Sequence, residues 1–193
     1  MKAQLIELFW MTIRDPSRAA SILRQIHMDR QVSWMILLLA ITLNTLTYFA
    51  SIALLGVPAE LAFPLLTKPY LVFLMLGITT VIFVFAFYWV GRALEGKATF
   101  DTILLMVGWL QYMRLAIQVG SLVLMLVSPG ISQIFVMAAG IYGLWVVVNF
   151  LKQAHGFETL GKAVAVLIFS ALGMTVGLSV LLSLCATTVI GMT

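Results

Sequence analysis

The chain alternates long apolar segments with short polar ones, and this pattern predicts membrane-spanning helices. A helix needs about 20 mostly apolar residues to cross the hydrocarbon core of a bilayer. Five segments are long and apolar enough: 32–55, 70–91, 101–127, 131–151 and 160–190. We therefore expect an all-α fold, a polytopic membrane bundle of five transmembrane helices within residues 32–193.

The first 31 residues are too polar to span a bilayer, and they predict amphipathic helices at its surface instead. Asp15 is a favourable N-cap, and Pro16 suits the first turn of a helix. Arg18 and Arg24 lie off the apolar face of that helix. The apolar face consists of Ala19, Ile22, Leu23 and Ile26. This pattern is typical of an interfacial helix that buries its apolar side and keeps its arginines near anionic headgroups.

The composition indicates the same class of protein. Hydrophobic residues make up 63% of the chain and charged residues 9%, against about 45–50% and about 25% in a soluble globular domain. So few polar residues could not cover an apolar core in water. The composition therefore favours a multi-pass membrane protein over a soluble one.

Basic residues are distributed unevenly between the two sides of the predicted spans. Nine of the 11 Lys and Arg residues lie on the side of the N-terminus, Lys68 lies on the other side, and Arg114 lies inside the third span. The positive-inside rule then predicts a cytoplasmic N-terminus and a C-terminus on the opposite, outer side of the membrane. The basic residues expected at the membrane surface are Arg14, Arg18, Arg24, Arg30, Arg92, Lys97, Lys152 and Lys162.

Two of the loops on the basic side resemble each other at an offset of 60 residues. WVGRALEGKATF, residues 89–100, aligns with NFLKQAHGFETL, residues 149–160. In each, a basic residue ends a span, a glycine (Gly96 or Gly156) allows the turn, and a threonine (Thr99 or Thr159) caps the next helix. Either an internal repeat of two hairpins or shared loop chemistry explains the match.

The same stretches resemble the YIP domain family, named after Ypt/Rab-interacting proteins. The similarity rests on five spans, on GRALEGKATFDTILLMVGW, on HGFETLGKAVAVLI, and on RDP followed by a basic amphipathic helix, which is similar to the compact bacterial branch. It covers roughly residues 15–190. The resemblance implies a polytopic, non-enzymatic membrane protein, associated in eukaryotes with vesicle traffic and membrane organisation. Its similarity to the bacterial branch implies a bacterial inner membrane, with the C-terminus in the periplasm. Rab binding is not expected, because the Asp-Leu-Tyr-Gly-Pro motif and the long N-terminal region of eukaryotic members are missing.

Catalytic and metal-binding motifs are missing from the sequence. Its two histidines, His27 and His155, have no metal-ligand spacing, and all seven acidic residues map to flanks or loops. We therefore expect no enzymatic activity, no cofactor, no metal and no nucleic-acid partner. The expected partners are membrane lipids with anionic headgroups, a second copy of the chain, or another membrane protein.

The candidate site is a polar stripe on the third span around a central arginine. Gln111, Arg114, Gln118 and Ser121 follow each other at intervals of three, four and three, so they share one helix face. Such a stripe faces other helices or water, not lipid. Asn44 and Asn149, in the first and fourth spans, are the candidate partners of Arg114.

The sequence allows three interpretations of how the charge of Arg114 is neutralised. It could bond to backbone carbonyls, to amides and to water; it could hold a lipid phosphate or small anion; or it could pair with a carboxylate of a partner chain. Intramembrane charged residues are costly and usually functional. We expect a protein that binds or organises lipid or a partner membrane protein, with a small permease or lipid/anion translocator and an accessory subunit of a membrane complex as alternatives.

A second candidate surface lies on the fifth span. Gly173 and Gly177 form a GxxxG pattern, and Ser170 extends its small face. Small residues at this spacing let two helices approach closely. The pattern predicts helix packing, either within the bundle or between two protomers.

Overall fold

The computed structural model describes residues 2–26, 28–56 and 67–190, which form seven helices and no strand. In chain order the helices are α1 (Lys2–Arg14), α2 (Pro16–Gln25), α3 (Arg30–Leu55), α4 (Pro69–Ala93), α5 (Phe100–Val127), α6 (Pro129–His155) and α7 (Leu160–Ile190). Helices α3 to α7 are long and apolar enough to cross a membrane. The expected all-α fold with five spans is confirmed.

The observed spans differ from the predicted ones only at their ends. Helix α6 runs four residues beyond the predicted end at 151, because its last turn carries Lys152 and a buried His155. Pro69 and Pro129 start their helices in the first turn, where the missing N–H of proline removes no hydrogen bond. The polar residues that flank each apolar run are therefore helical too.

The four helices after α3 form two hairpins that pack against each other. Helix α4 packs on α7, and α5 packs on α6, so that each hairpin contributes one helix to each contact. Helix α3 packs mainly on α5 and also on α4. All six residues of 103–108 in α5 are buried, because α2, α3, α4 and α6 all contact this helix. The core therefore lies in the half of the bundle where α5 begins, which we call the basic end.

The N-terminal hairpin of α1 and α2 is fastened to the basic end of the bundle. Trp109 Nε1 donates to Thr12 Oγ1 at 3.0 Å, and Ser17 Oγ donates to Asn149 Oδ1 at 2.9 Å. Ala19 and Leu23 are buried, whereas Ile22 is exposed. The predicted apolar face of α2 therefore divides between contacts with the protein and exposure at its surface.

The helices before the two similar loops end in the same hydrogen-bond pattern. The residues that form this pattern are shifted by one position relative to the sequence alignment. Glu95 N donates to Arg92 O and Gly96 N to Gly91 O; Gly156 N donates to Gln153 O and Phe157 N to Lys152 O. Both ends are Schellman motifs, which place one residue in the left-handed region. That residue is Glu95 (φ 67°) in the first loop and Gly156 (φ 67°) in the second. The turns are thus 61 residues apart, while Phe100 and Leu160, which start the next helices, are 60 apart.

Gly96 has a different role from the one expected, because it makes room for His155. A Cβ atom on Gly91 or Gly96 would collide with the imidazole ring of His155. The ring is buried, stacks on Phe157 with centroids 5.1 Å apart, and its Nε2 lies 3.1 Å from Phe87 O. Lys97 N donates to His155 O at 2.9 Å. The second loop therefore inserts a histidine into a glycine cradle of the first.

We predict that Gly91→Ala lowers the free energy of unfolding by about 1–3 kcal/mol, the usual cost of overpacking. The matched control is Gly140→Ala, since a Cβ there meets no atom within 4 Å. The control should be neutral or stabilise by up to about 1 kcal/mol, because alanine favours the helix. Denaturation of the detergent-solubilised protein measures both. Equal effects of the two substitutions on the free energy of unfolding would contradict the close approach of the His155 ring to Gly91.

Glu95 gives a prediction that involves pH. Its carboxylate accepts a hydrogen bond from Lys162 Nζ at 2.9 Å, which lowers the pKa of Glu95 below 4.5. Both Glu95→Gln and Glu95→Gly lose this exposed ion pair, but only glycine adopts a positive φ without strain. We expect the Gly variant to be more stable than the Gln variant by about 1 kcal/mol.

The contribution of the ion pair is present above the unfolded pKa of Glu95 and is lost as the pH falls through the lower, folded pKa. The stability difference between wild type and Glu95→Gln should therefore vanish in acid, in thermal melts recorded from pH 7 to pH 3. A difference that persists at the acid end would contradict this role of the carboxylate.

Candidate functional site

Arg114 lies midway along α5, and its side chain is exposed. It is the fifteenth of 28 residues in the helix, so it is roughly 20 Å from either end at about 1.5 Å per residue. Among the described residues it has no hydrogen bond and no ion pair. A charge at this depth costs about 2.5–3.5 kcal/mol on insertion scales.

The amides around Arg114 bond to each other instead. Asn44 Nδ2 donates to Ala40 O at 2.8 Å and to Gln111 O at 3.1 Å. Gln111 Nε2 donates to Thr80 Oγ1 at 3.0 Å, and Gln118 Nε2 lies 3.4 Å from Asn44 O. These contacts link α3, α4 and α5 at mid-depth. They use the amide donors without involving the guanidinium.

Asn149 does not pair with Arg114. Its Nδ2 donates to Trp145 O at 2.8 Å, and its Oδ1 accepts from Ser17 at 2.9 Å. Asn149 lies six residues before the end of α6, whereas Arg114 lies 14 residues after the start of α5. Because both helix ends lie at the basic end, the two residues differ in depth by roughly 12 Å. The expected pairing is therefore replaced by a contact that holds α2.

The predicted stripe is divided between three environments. Gln111 and Gln118 are half-buried against α3 and α4. Ser121 Oγ donates to Gln118 O at 2.9 Å, and Ser121 O accepts from Ser132 of α6 at 2.8 Å. Arg114 alone of the four is exposed. The structure therefore excludes carbonyls and amides of the described residues as the groups that neutralise its charge.

The small residues of α7 are divided in a similar way. Ser170 is buried, and its Oγ has no hydrogen-bond partner among the described residues. Gly173 and Gly177 are exposed, and a Cβ on either would meet no atom within 4 Å. Neither glycine packs against another of the described residues, and packing between protomers stays a prediction. Gly173 is residue 14 of α7, so it lies at nearly the depth of Arg114.

Several of the predicted surface cations have partners at the basic end. Arg30 pairs with Asp101 at 2.7 Å, and Lys162 pairs with Glu95 at 2.9 Å. Arg24 Nη1 donates to Gln153 O at 3.1 Å, and Arg14 lies 5.9 Å from the ring centroid of Trp10. Of the others, Arg18, Arg92 and Lys97 are exposed and Lys152 is half-buried. Contact of this end with anionic headgroups stays a prediction.

Three polar contacts that hold these helices together could not be predicted from the sequence. Thr80 and Thr12 are small hydroxyl residues within helices, and such residues commonly bond their own backbone, as both also do here. His155 lies in a polar flank but is buried. Among the described residues, no group of three or more His, Cys, Asp or Glu could hold a metal ion.

A double-mutant cycle tests the separation of Arg114 from the amides. Gln111→Leu and Thr80→Val break the same hydrogen bond, so we expect a coupling energy of about 0.6 kcal/mol, the average for interhelical hydrogen bonds in membranes. Arg114→Leu combined with Thr80→Val is the matched control and should be additive. Denaturant titration in detergent measures each free energy of unfolding. Coupling of Arg114 to Thr80 as large as that of Gln111 would contradict the geometry.

Comparison with known proteins gives the family of the chain. Residues 10–181 match the family model of the Yip1 domain, which is about nine-tenths of the 193 residues. Comparison with curated proteins found no match, and comparison with solved structures found none. The matched range contains α2 to α6 in full, most of α7, and Arg114. The predicted resemblance is thus confirmed, and this multi-pass membrane protein belongs to the Yip1 family.

Proposed function

We propose that the protein holds an anionic component of the membrane at Arg114, and so binds or organises lipid or a partner membrane protein without catalysing a reaction. One observation carries the proposal. Arg114 is exposed at mid-depth of α5 and has no partner among the described residues, although the amides beside it are bonded. The Yip1 family is a family of non-enzymatic membrane proteins, which agrees with a binding role.

The described residues offer no carboxylate at that depth. The acidic residues among them are Glu7, Asp15, Asp29, Glu95, Asp101 and Glu158, and all lie outside the apolar middle of the spans; Glu60 falls outside the described residues. A second copy in the same orientation would bring its acidic residues to the same ends. The anion therefore comes from a phospholipid phosphate or from an Asp or Glu of a different membrane protein.

The proposal includes an orientation for the protein. We infer that the basic end faces the cytoplasm of a bacterial cell, with α1 and α2 in the interface, because nine of the 11 cations lie there and cytoplasmic flanks collect Lys and Arg. Exposed apolar side chains on α1, such as Leu5, Ile6 and Trp10, support contact of this helix with lipid. The tail after α7 would then face the periplasm.

Native mass spectrometry of the protein, released from the lipids of its own expression membrane, tests this function. We expect wild type to carry phospholipid or one stoichiometric partner protein, and Arg114→Leu to carry one such adduct fewer. Arg114→Lys keeps a positive charge and should retain part of the adduct. The matched control is Arg92→Leu, which removes an exposed cation at the basic end.

The mass of the adduct separates the two sources of the anion. A phospholipid mass identifies a phosphate, and a protein mass identifies a partner with an acidic residue. A wild-type monomer without any adduct, or an Arg114→Leu variant with the same number of adducts as wild type, would contradict the proposal.

A further inference from the structure

A large apolar cleft lies between the N-terminal hairpin and two of the spans. It has a volume of about 580 Å³ and is lined by residues of α1, of α2 and the segment after it, of α3, and of α5. Leu5 and Ile6 on α1 and Met28 beyond α2 are exposed at its edge, with 54%, 60% and 40% of their surface accessible. The cleft is therefore open to the surroundings of the protein.

The position of the cleft corresponds to one leaflet of a bilayer. Ile36 is residue 7 of α3 and Tyr112 is residue 13 of α5, and both helices begin at the basic end. At about 1.5 Å per residue, Tyr112 lies roughly 18 Å from the start of α5, and the lining residues of α5, from Leu105 to Tyr112, cover roughly 10 Å of the helix. The headgroup region and half of the hydrocarbon core together span roughly 20 Å. The cleft therefore opens toward acyl chains, not toward water.

The cleft offers no free polar group to a polar ligand. Its lining contains two side-chain hydrogen-bond donors, and both are already bonded within the protein. Tyr112 OH donates to Ile36 O at 3.2 Å, and Trp109 Nε1 donates to Thr12 Oγ1 at 3.0 Å. Sites for small polar ligands need a few convergent polar groups to orient the ligand. This lining instead suits a hydrocarbon.

Size decides between a lipid chain and a helix of another protein. A 10 Å length of helix, about 10 Å across, occupies roughly 800 Å³, which is more than the volume of the cleft. At roughly 30 Å³ for each group of the size of a water molecule, the cleft holds roughly 19 such groups. That number matches one long acyl chain.

The charges beside the cleft suit a phosphate. Arg24 lies two residues before Ile26, and Arg30 lies two residues after Met28, and these two apolar residues line the cleft. Arg30 is paired with Asp101, whereas Arg24 donates to a backbone carbonyl and has no carboxylate partner among the described residues. The guanidinium of Arg24 itself lies at the C-terminal end of α6, but both arginines belong to the basic end of the bundle, where an anionic headgroup would be attracted.

We propose that this cleft is a binding site for one phospholipid of the adjacent leaflet, whose acyl chain lies between α1 and the α3–α5 pair and whose phosphate lies at the basic end. The site is separate from Arg114, which lies deeper and outside the lining. Bound lipid would then tie the N-terminal hairpin to the spans from the outside, in addition to the hydrogen bonds of Thr12 and Ser17.

Photolabelling in vesicles tests the site. The full chain is reconstituted with phosphatidylglycerol that carries a diazirine on its acyl chain, and labelled peptides are mapped by mass spectrometry. We expect labels on α1 and on the Ile36 and Tyr112 segments to exceed those at ordinary lipid-facing positions such as Ile141, which is 72% exposed. Equal labelling of the cleft and of Ile141 would overturn the proposal.

Two variants make the test specific. Leu5→Trp narrows the cleft from an exposed position, so the fold should survive, and Ile36→Trp fills it from within. Both should reduce cleft labelling to the level at Ile141, whereas Leu46→Trp, at an exposed position outside the lining, should leave it unchanged. Retained labelling in a folded Leu5→Trp variant, or a partner protein crosslinked in the cleft in place of lipid, would also overturn the proposal.

Arg114→Leu separates this site from the proposed function. We expect this variant to keep full labelling of the cleft even where it has lost the adduct attributed to Arg114. Loss of cleft labelling in Arg114→Leu would contradict two independent sites.

Discussion

The core of a bilayer contains no water that could bond to a polar side chain. A polar group there must find its partner within protein or pull a partner in from outside. Asn44, Gln111, Gln118 and Thr80 meet this requirement through hydrogen bonds that join α3, α4 and α5. Arg114 does not meet it among the described residues, although it lies between two of those amides in the sequence. The amide contacts thus account for part of the bundle, and the arginine points to a component beyond it.

The two halves of the bundle differ in how fully they are packed. At the basic end, residues 103–108 are buried on every side of α5, His155 fills the cradle of Gly91 and Gly96, and the N-terminal hairpin is bonded to α5 and α6. Toward the other end of α5 and α7, Val123 and Gly173 are exposed. The basic end is well packed, whereas the helices beyond it have exposed faces. Arg114 and the glycines of α7 lie on these exposed faces, where other membrane components could contact them.

Much of the fold could be predicted from the sequence, because apolar length and flanking polar residues determine where a helix can cross a bilayer. The conformation of the loops was harder to predict than the position of the spans. The alignment pairs Gly96 with Gly156, but Glu95 takes the left-handed position, because Gly96 is needed where the ring of His155 approaches. The left-handed position of Glu95 could not be predicted from its residue type, since glutamate rarely adopts a positive φ.

The position of the polar stripe on α5 could be predicted from the sequence, but the hydrogen-bond partners of its residues could not. A spacing of three and four residues places Gln111, Arg114, Gln118 and Ser121 near one face, and that is a property of any helix. Which of them meets α3 and α4 depends on how the helices cross, and a shift of about 60° around α5 separates Arg114 from Gln111. Asn149 was assigned to the wrong neighbour, because the sequence did not reveal that Ser17 of α2 packs against it.

We propose that an anion from outside the chain neutralises Arg114. Solid-state NMR of the protein in vesicles of its native lipids, with labelled arginine guanidinium nitrogens, tests this pairing. The Arg114 signal is assigned by its loss in Arg114→Lys. We expect contact between this guanidinium and either lipid phosphorus or a carboxylate carbon of a partner protein. Contact only with amides or carbonyls of its own chain would contradict it.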